Sequence, residues 1–266
     1  MRSLSIFMLI FTVFALSRAE AATITPIDRA RSEIVKRLAQ DPELKDAGFT
    51  AGEIKELFAD IEVMPKRKGR HIDNAELRRI YRKIFLNEAG YTRGREYMKA
   101  HAAELALAEE TYGVSREVLA AILWVETGFG KGLGDHPTLA ALFSETVRAI
   151  ANGADPKKIA GWEGQLKAFL LLTRKLALDP QSILGSYAGA LGIPQFMPYS
   201  YRAFAVDGDN DGKIDLFHSH ADAIMSTANY LAKNGFAKSA RQAVFAYNHS
   251  KIYVDIVLEY AEKIKN

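Results

Sequence analysis

Residues 115 to 130 read SREVLAAILWVETGFG, and both the fold and the chemistry of the chain turn on them. Ser115 is a residue type that accepts hydrogen bonds from the free N–H groups of a first helical turn, so a helix begins there. From Val118 the residues are apolar on nearly every side until Glu126 arrives. A helix that is apolar all round is buried, which assigns this one to the core. Leu119, Leu123 and Glu126 follow one another at i, i+4 and i+7, so the carboxyl continues an apolar stripe. Gly128 and Gly130 end the helix just beyond. Glu126 therefore sits in the last turn, where the negative end of the helix dipole disfavours a carboxylate. Burial and dipole both push its pKa upward. A carboxyl that stays protonated near neutral pH is what a general acid needs to protonate a glycosidic oxygen. An ion pair with a distant Lys or Arg would also suit a helix-end glutamate, and this segment alone leaves both readings open.

The same helical periodicity extends outward in both directions. Thr25-Pro26 reads as N-cap and first helical position, followed by Ile27, Ala30, Ile34 and Leu38 at helical spacing before Asp41-Pro42. Thr50 with Glu53 forms a capping-box pattern, and Asn74 opens a stretch carrying Leu77, Ile80, Tyr81 and Ile84. Sustained period-two alternation is found nowhere, so the class is mainly α. The organisation expected is a signal peptide at 1–21, a short helical N-terminal lead-in at 22–90 and a catalytic domain at 91–266. The first of these rests on Arg2, the apolar run Leu4 to Leu16 and the small-x-small Ala19-Glu20-Ala21, with an apolar core well short of the ~20 residues needed to span a bilayer.

A second informative stretch is 185–198, GSYAGALGIPQFMP, in which three glycines and two prolines constrain a backbone that also carries Ser186 and Gln195. Taken with Val125-Glu126-Thr127-Gly128-Phe129-Gly130, Ala228-Asn229-Tyr230-Leu231 and Tyr247-Asn248-His249-Ser250 with Tyr253, it resembles the family-B lytic murein transglycosylases in residues, order and spacing over 92–266. What the resemblance implies is a lysozyme-like, mainly helical fold with Glu126 as the single catalytic acid and base. Ser186 would orient the Glu126 carboxyl, Gln195 and Asn248 would contact sugar hydroxyl or N-acetyl groups, and Tyr230, Tyr247 and Tyr253 would line a glycan groove, where aromatic faces suit sugar rings. One departure stands out: only residues 237–246 separate Phe236 from Tyr247, where many relatives carry a longer insertion.

Between these blocks lies an EF-hand-like loop. Asp207, Asp209 and Asp211 precede Gly212, Lys213 offers a backbone carbonyl at position seven, and Asp215 stands at nine. Carboxylates at this spacing repel unless a cation neutralises them, which points to a structural Ca2+ or Na+ in 207–218. The bidentate glutamate expected at position twelve is replaced by His218, leaving Asp222, another group or water to complete the shell. His218 and His220 lack a third ligand at zinc-site spacing.

Composition excludes several classes. The formal charge is +3, or +2 once the leader is removed, which gives no case for nucleic-acid binding. Cysteine is absent, which removes disulfides, thiolate metal sites, a catalytic thiol and a cysteine for lipid anchoring. The basic run Lys66-Arg67-Lys68-Gly69-Arg70-His71 reads as a solvated loop. The expected product is a periplasmic monomer without a transmembrane helix in its mature form, acting on peptidoglycan strands and needing no cofactor for catalysis. Under the resemblance, Glu126 protonates the β-1,4 oxygen between N-acetylmuramic acid and N-acetylglucosamine and then takes the proton of the muramyl 6-hydroxyl, giving a 1,6-anhydromuramyl end without water. A hydrolytic muramidase with Asp135 as helper carboxylate, or a non-catalytic peptidoglycan- or calcium-binding envelope protein, are the alternatives.

Overall fold

A computed structural model describes residues 24–66 and 72–265. The leader and all but Lys66 of the basic run lie outside the described residues. The chain is mainly α. Its helices are α1 (Pro26–Gln40), α2 (Pro42–Asp46), α3 (Ala51–Leu57), α4 (Asn74–Phe85), α5 (Glu88–Ala100), α6 (Ala102–Tyr112), α7 (Arg116–Thr127), α8 (Thr138–Ala151), α9 (Pro156–Lys175), α10 (Pro198–Phe204), α11 (His220–Lys233), α12 (Ala240–Tyr247) and α13 (Lys251–Ile264). Among the described residues the only sheet is a two-residue pair, β1 (His136–Pro137) antiparallel to β2 (Leu184–Gly185), with His136 opposite Gly185.

Local chemistry sets the helix boundaries. Thr25 and Thr50 close reciprocal capping boxes with Asp28 and Glu53, and Pro26 and Pro42 occupy first-turn positions where no N–H is needed.

Two apolar clusters hold these helices together, and the boundary between them organises everything that follows. One gathers α5, α6, α7, α11, α12 and α13 around Leu105, Leu119, Leu123, Ile224 and Val257. The other gathers α1 to α3, α8 and α9 around Ile34, Phe58, Phe143, Leu166 and Phe169, with the Phe58 and Phe143 rings 4.9 Å apart. Each such side chain contributes roughly 1.5–3 kcal/mol by leaving water. The segment 185–198 belongs to both: Ile193 enters the first cluster, Leu191 and Phe196 the second. Tyr230 and Tyr247 pack against both.

The N-terminal residues join these cores at separate places. α1 packs on α8, and the backbone of 61–64 is drawn along α8 by Arg31 donating to Ile61 O (2.6 Å), Met64 N–H donating to Ser144 Oγ (2.8 Å) and Arg148 donating to Met64 O (2.6 Å). α4 instead lies on α13, held by Arg78 to Asp255 (2.7 Å) and Arg82 to Glu259 (2.5 Å).

One residue of the 185–198 loop has no freedom to change. Gly192 has φ +69°, and a Cβ there would lie 2.4 Å from Leu216 O, the carbonyl that accepts from Ile193 N–H at 2.7 Å. Gly192→Ala should therefore lower unfolding stability by about 2–4 kcal/mol, read by urea titration. A loss under about 0.5 kcal/mol, the size of an ordinary surface change, would mean the loop tolerates displacement.

Candidate active site

Glu126 is presented by α7, whose Leu119, Ile122 and Leu123 are fully buried and fix the helix rigidly in the first cluster. Gly128 ends the helix in a left-handed conformation, its N–H turned to Leu123 and Trp124 carbonyls. The Glu126 carboxyl is partly buried and accepts a 2.6 Å hydrogen bond from the hydroxyl of Tyr253 on α13. Loss of solvation raises its pKa to about 7, against the opposing pull of the Tyr253 hydrogen bond. Burial and then the nearby Glu126 charge push the Tyr247 hydroxyl well up, so Tyr247 also stands within electrostatic reach. A cavity of about 420 Å³ opens beside the carboxyl, lined among others by Phe85, Asn87, Arg93, Trp124, Glu126 and Gly132.

The loop 185–198 is tied to this helix by a residue to which sequence reasoning gave no role. Thr127, buried at the last position of α7, donates its hydroxyl to Ile193 O at 2.8 Å and accepts from Gly130 N–H at 2.9 Å. A threonine directly before a helix-ending glycine was the available signal. Gln195 reinforces the junction: its Nε2 donates to Leu133 O (3.1 Å) and Gly192 O (2.9 Å). Its backbone adopts φ +49°, an uncommon conformation for a side-chain-bearing residue.

The remaining expected site residues take distinct positions. Ser186 Oγ accepts from Ala190 N–H at 2.9 Å and closes its own loop, whereas the hydrogen bond that the carboxyl of Glu126 receives comes from Tyr253. Tyr253 is 3 % exposed, so it touches Glu126 from inside the protein. Tyr230 and Tyr247 meet edge to face at 4.9 Å beside Phe196, and their hydroxyls donate to Ala246 O (2.8 Å) and Pro194 O (2.5 Å). Asn248 is exposed and caps α12. Asp135 is 92 % exposed in its side chain and lies 3.5 Å from His136.

In the acidic loop, ligand oxygens of Asp207, Asp209 and Asp211 lie within 4.8 Å of one another. Asp207 and Asp211 also cap backbone N–H groups of Gly212 and Lys213 at 2.8 Å. Asp215 is turned to Phe217 and His218 N–H groups and to the His218 ring at 2.9 Å. Asp222 is buried and spans the loop ends, accepting from Gly208 N–H (2.7 Å) and Asp215 N–H (2.6 Å). Burial raises the Asp222 pKa, opposed by those same hydrogen bonds.

A mainly helical, lysozyme-like fold that presents one half-buried glutamic acid at a helix end defines the class of this protein. The family model described as the transglycosylase SLT domain matches residues 31–246, and the chain belongs to that family. It is 37% identical over 166 residues to the membrane-bound lytic murein transglycosylase B of Escherichia coli (strain K12), an alignment spanning 62% of this chain and 44% of that protein. The chain thus matches less than half the length of that curated relative. Among solved structures it resembles the soluble lytic transglycosylase SltB1 from Pseudomonas aeruginosa, with TM-score 0.73 and 28% identity over 88% of this chain and 97% of that one. The Escherichia coli lytic transglycosylase Slt35 in complex with calcium shares the fold, with TM-score 0.73 and 22% identity over 88% and 92% of the two chains.

Because the Tyr253 hydroxyl stabilises the ionised carboxyl, Tyr253→Phe should raise the pKa of Glu126 above about 7. Carboxyl 13C NMR through a pH series reads the change directly; an unchanged or lowered pKa would mean that the hydrogen bond does not set it.

Proposed function

We propose that the chain is a lytic murein transglycosylase, cleaving the bond between N-acetylmuramic acid and N-acetylglucosamine with Glu126 as the only acid and base. The observation that carries this reading is the Glu126 carboxyl itself, partly buried, held by Tyr253, with its pKa raised to about 7 beside an open cavity. Near neutral pH a large fraction of such a group is protonated and can give its proton to the glycosidic oxygen as the C1–O bond breaks. The resulting carboxylate then accepts the proton of the muramyl 6-hydroxyl while that oxygen bonds to C1. Attack from within the same ring needs no water and benefits from tethering. Glu126 ends the cycle protonated.

The geometry supports a role for each of the other residues. Tyr253 orients the carboxyl, Thr127 and Gln195 hold the loop 185–198 against α7, and Tyr230 and Tyr247 support that loop from beneath. Asn248, exposed at the end of α12, remains the group for sugar contacts, and residues 91–266 carry the reaction. A Ca2+ ion would be held by Asp207, Asp209 and Asp211 with the Lys213 carbonyl, a hard-cation donor set, and would brace the loop between α10 and α11. Asp215 is engaged with backbone N–H groups and His218, so it would contribute only through water or after rearrangement. Among the described residues no helix is long and apolar enough to cross a membrane, and the sequence pattern of the leader fits export to the periplasm.

Mass spectrometry of soluble fragments from purified murein tests the reaction. The wild type should release 1,6-anhydromuropeptides, and Glu126→Gln should lower the rate by at least about a thousandfold, given what an essential acid and base contributes. Reducing ends would make it a hydrolase, and no release by the wild type would make it a binding protein.

The alkaline limb of the rate profile should fall as pH rises through about 7, because the acid is lost on ionisation. Stability should follow the same group. Its folded pKa lies above the ordinary value of 4.5, so its contribution is fully present below that value and is lost as pH rises to about 7. Glu126→Gln, which cannot ionise, should gain in melting temperature relative to the wild type at pH 8 and not at pH 4; equal differences at both would refute the burial argument.

A further inference from the structure

Arg93 is placed by an unusually close helix contact. α5 lies across the end of α7 and against α13, and two glycines on its inner face allow the approach. A Cβ on Gly90 would fall 2.9 Å from Phe85 O and 3.4 Å from the Trp124 ring, and one on Gly94 would fall 2.5 Å from the Tyr260 hydroxyl. Arg93 stands between them in sequence, and its guanidinium lies over the Trp124 indole, 5.7 Å from the ring centroid. Trp124 is two residues before Glu126 on the same helix, and all three side chains line the same cavity of about 420 Å³.

The guanidinium is exposed and forms no ion pair with a carboxylate among the described residues. The cation–π contact holds the guanidinium near the indole without using its N–H groups in any ion pair, and a guanidinium fork is suited to a planar carboxylate. No hydrogen bond or ion pair joins it to Glu126, whose carboxyl takes its hydrogen bond from Tyr253. The cavity therefore holds one acid that must arrive protonated and one cation with no carboxylate partner among the described residues.

We infer that Arg93 is a specificity-determining residue whose guanidinium binds a carboxylate of the substrate strand in the cavity that contains Glu126. The inference rests on the transglycosylase reading above. In murein a carboxylate is supplied either by the stem peptide or, where the peptide has been removed, by the lactyl group of the muramyl sugar. Glycans without acidic groups would lose this contact entirely.

Kinetics on intact murein and on amidase-stripped glycan, each with carboxyls free or converted to neutral amides, test it with wild type, Arg93→Gln and Arg93→Lys. On the carboxylate-bearing substrate, Arg93→Gln should raise KM roughly ten- to hundredfold with kcat within about threefold, as expected for loss of a charge-assisted hydrogen-bonded pair. Arg93→Lys, which keeps the charge but not the fork, should fall between. Blocking the substrate carboxyls should raise the wild-type KM by a similar factor, and the two changes together should cost no more than either alone. Such non-additivity on intact murein alone assigns the stem-peptide carboxylate, and on stripped glycan alone the lactyl carboxylate. Additive effects on both substrates, as a purely packing role on Trp124 would give, or no effect of Arg93→Gln, overturn the inference. A wild type that makes no anhydro product from any substrate overturns the transglycosylase reading beneath it.

Discussion

The hydroxyl of Thr127 is the joint on which the site depends. It takes the N–H of Gly130, which the helix end leaves free, and gives its own proton to Ile193 O in the facing loop. One buried oxygen thus fixes the turn after α7 and the distance from that turn to the 185–198 loop. Glu126 belongs to a helix of the first core and the loop shares both, so the joint adds a directional hydrogen-bonded link to the packing that Ile193 already makes with that core. The Gln195 amide, bonded to Leu133 and Gly192 carbonyls, repeats the same device a short way along.

Electrostatically the site is held between two opposing pressures. Burial alone would drive the pKa of Glu126 further up than it stands; the Tyr253 hydroxyl draws it back to about 7. An acid too weak would protonate a leaving oxygen slowly, and one too strong would arrive already ionised. Tyr253 contributes from the interior, so this tuning is sheltered from screening by salt.

Much of the fold was legible because its signals are local. The capping boxes at Thr25 and Thr50, Pro26 at the first helical position and the apolar run of α7 each act within a few residues, and each helix begins where they indicate. Glu126 was legible for the same reason: its stripe and the following glycine place it at a buried helix end. The side-chain partners were harder to read, because hydroxyl bonding is decided by tertiary neighbours. Ser186 turns to Ala190, and Tyr253 supplies the bond to the carboxyl, a choice between residues more than sixty positions apart that periodicity does not encode. Tyr230 and Tyr247 carry the right residue type for sugar stacking, yet their hydroxyls are satisfied by Ala246 and Pro194 carbonyls in an aromatic cluster. In the acidic loop, the spacing located Asp207, Asp209 and Asp211, whereas the clasp formed by Asp222 needed the packing of α11 to appear.

The way α1 to α3 lie against α8 and α9 bears on how such a chain can be divided or rearranged. Ile34, Leu38, Ile54 and Phe58 fill the same cluster as Phe143, Leu166 and Phe169. A fragment that began after α4 would bare that apolar wall to water and invite self-association. Duplication, fusion or transplantation of the glutamate-bearing half is therefore constrained to carry its N-terminal helices along, and the heritable module is wider than the segment that holds Glu126.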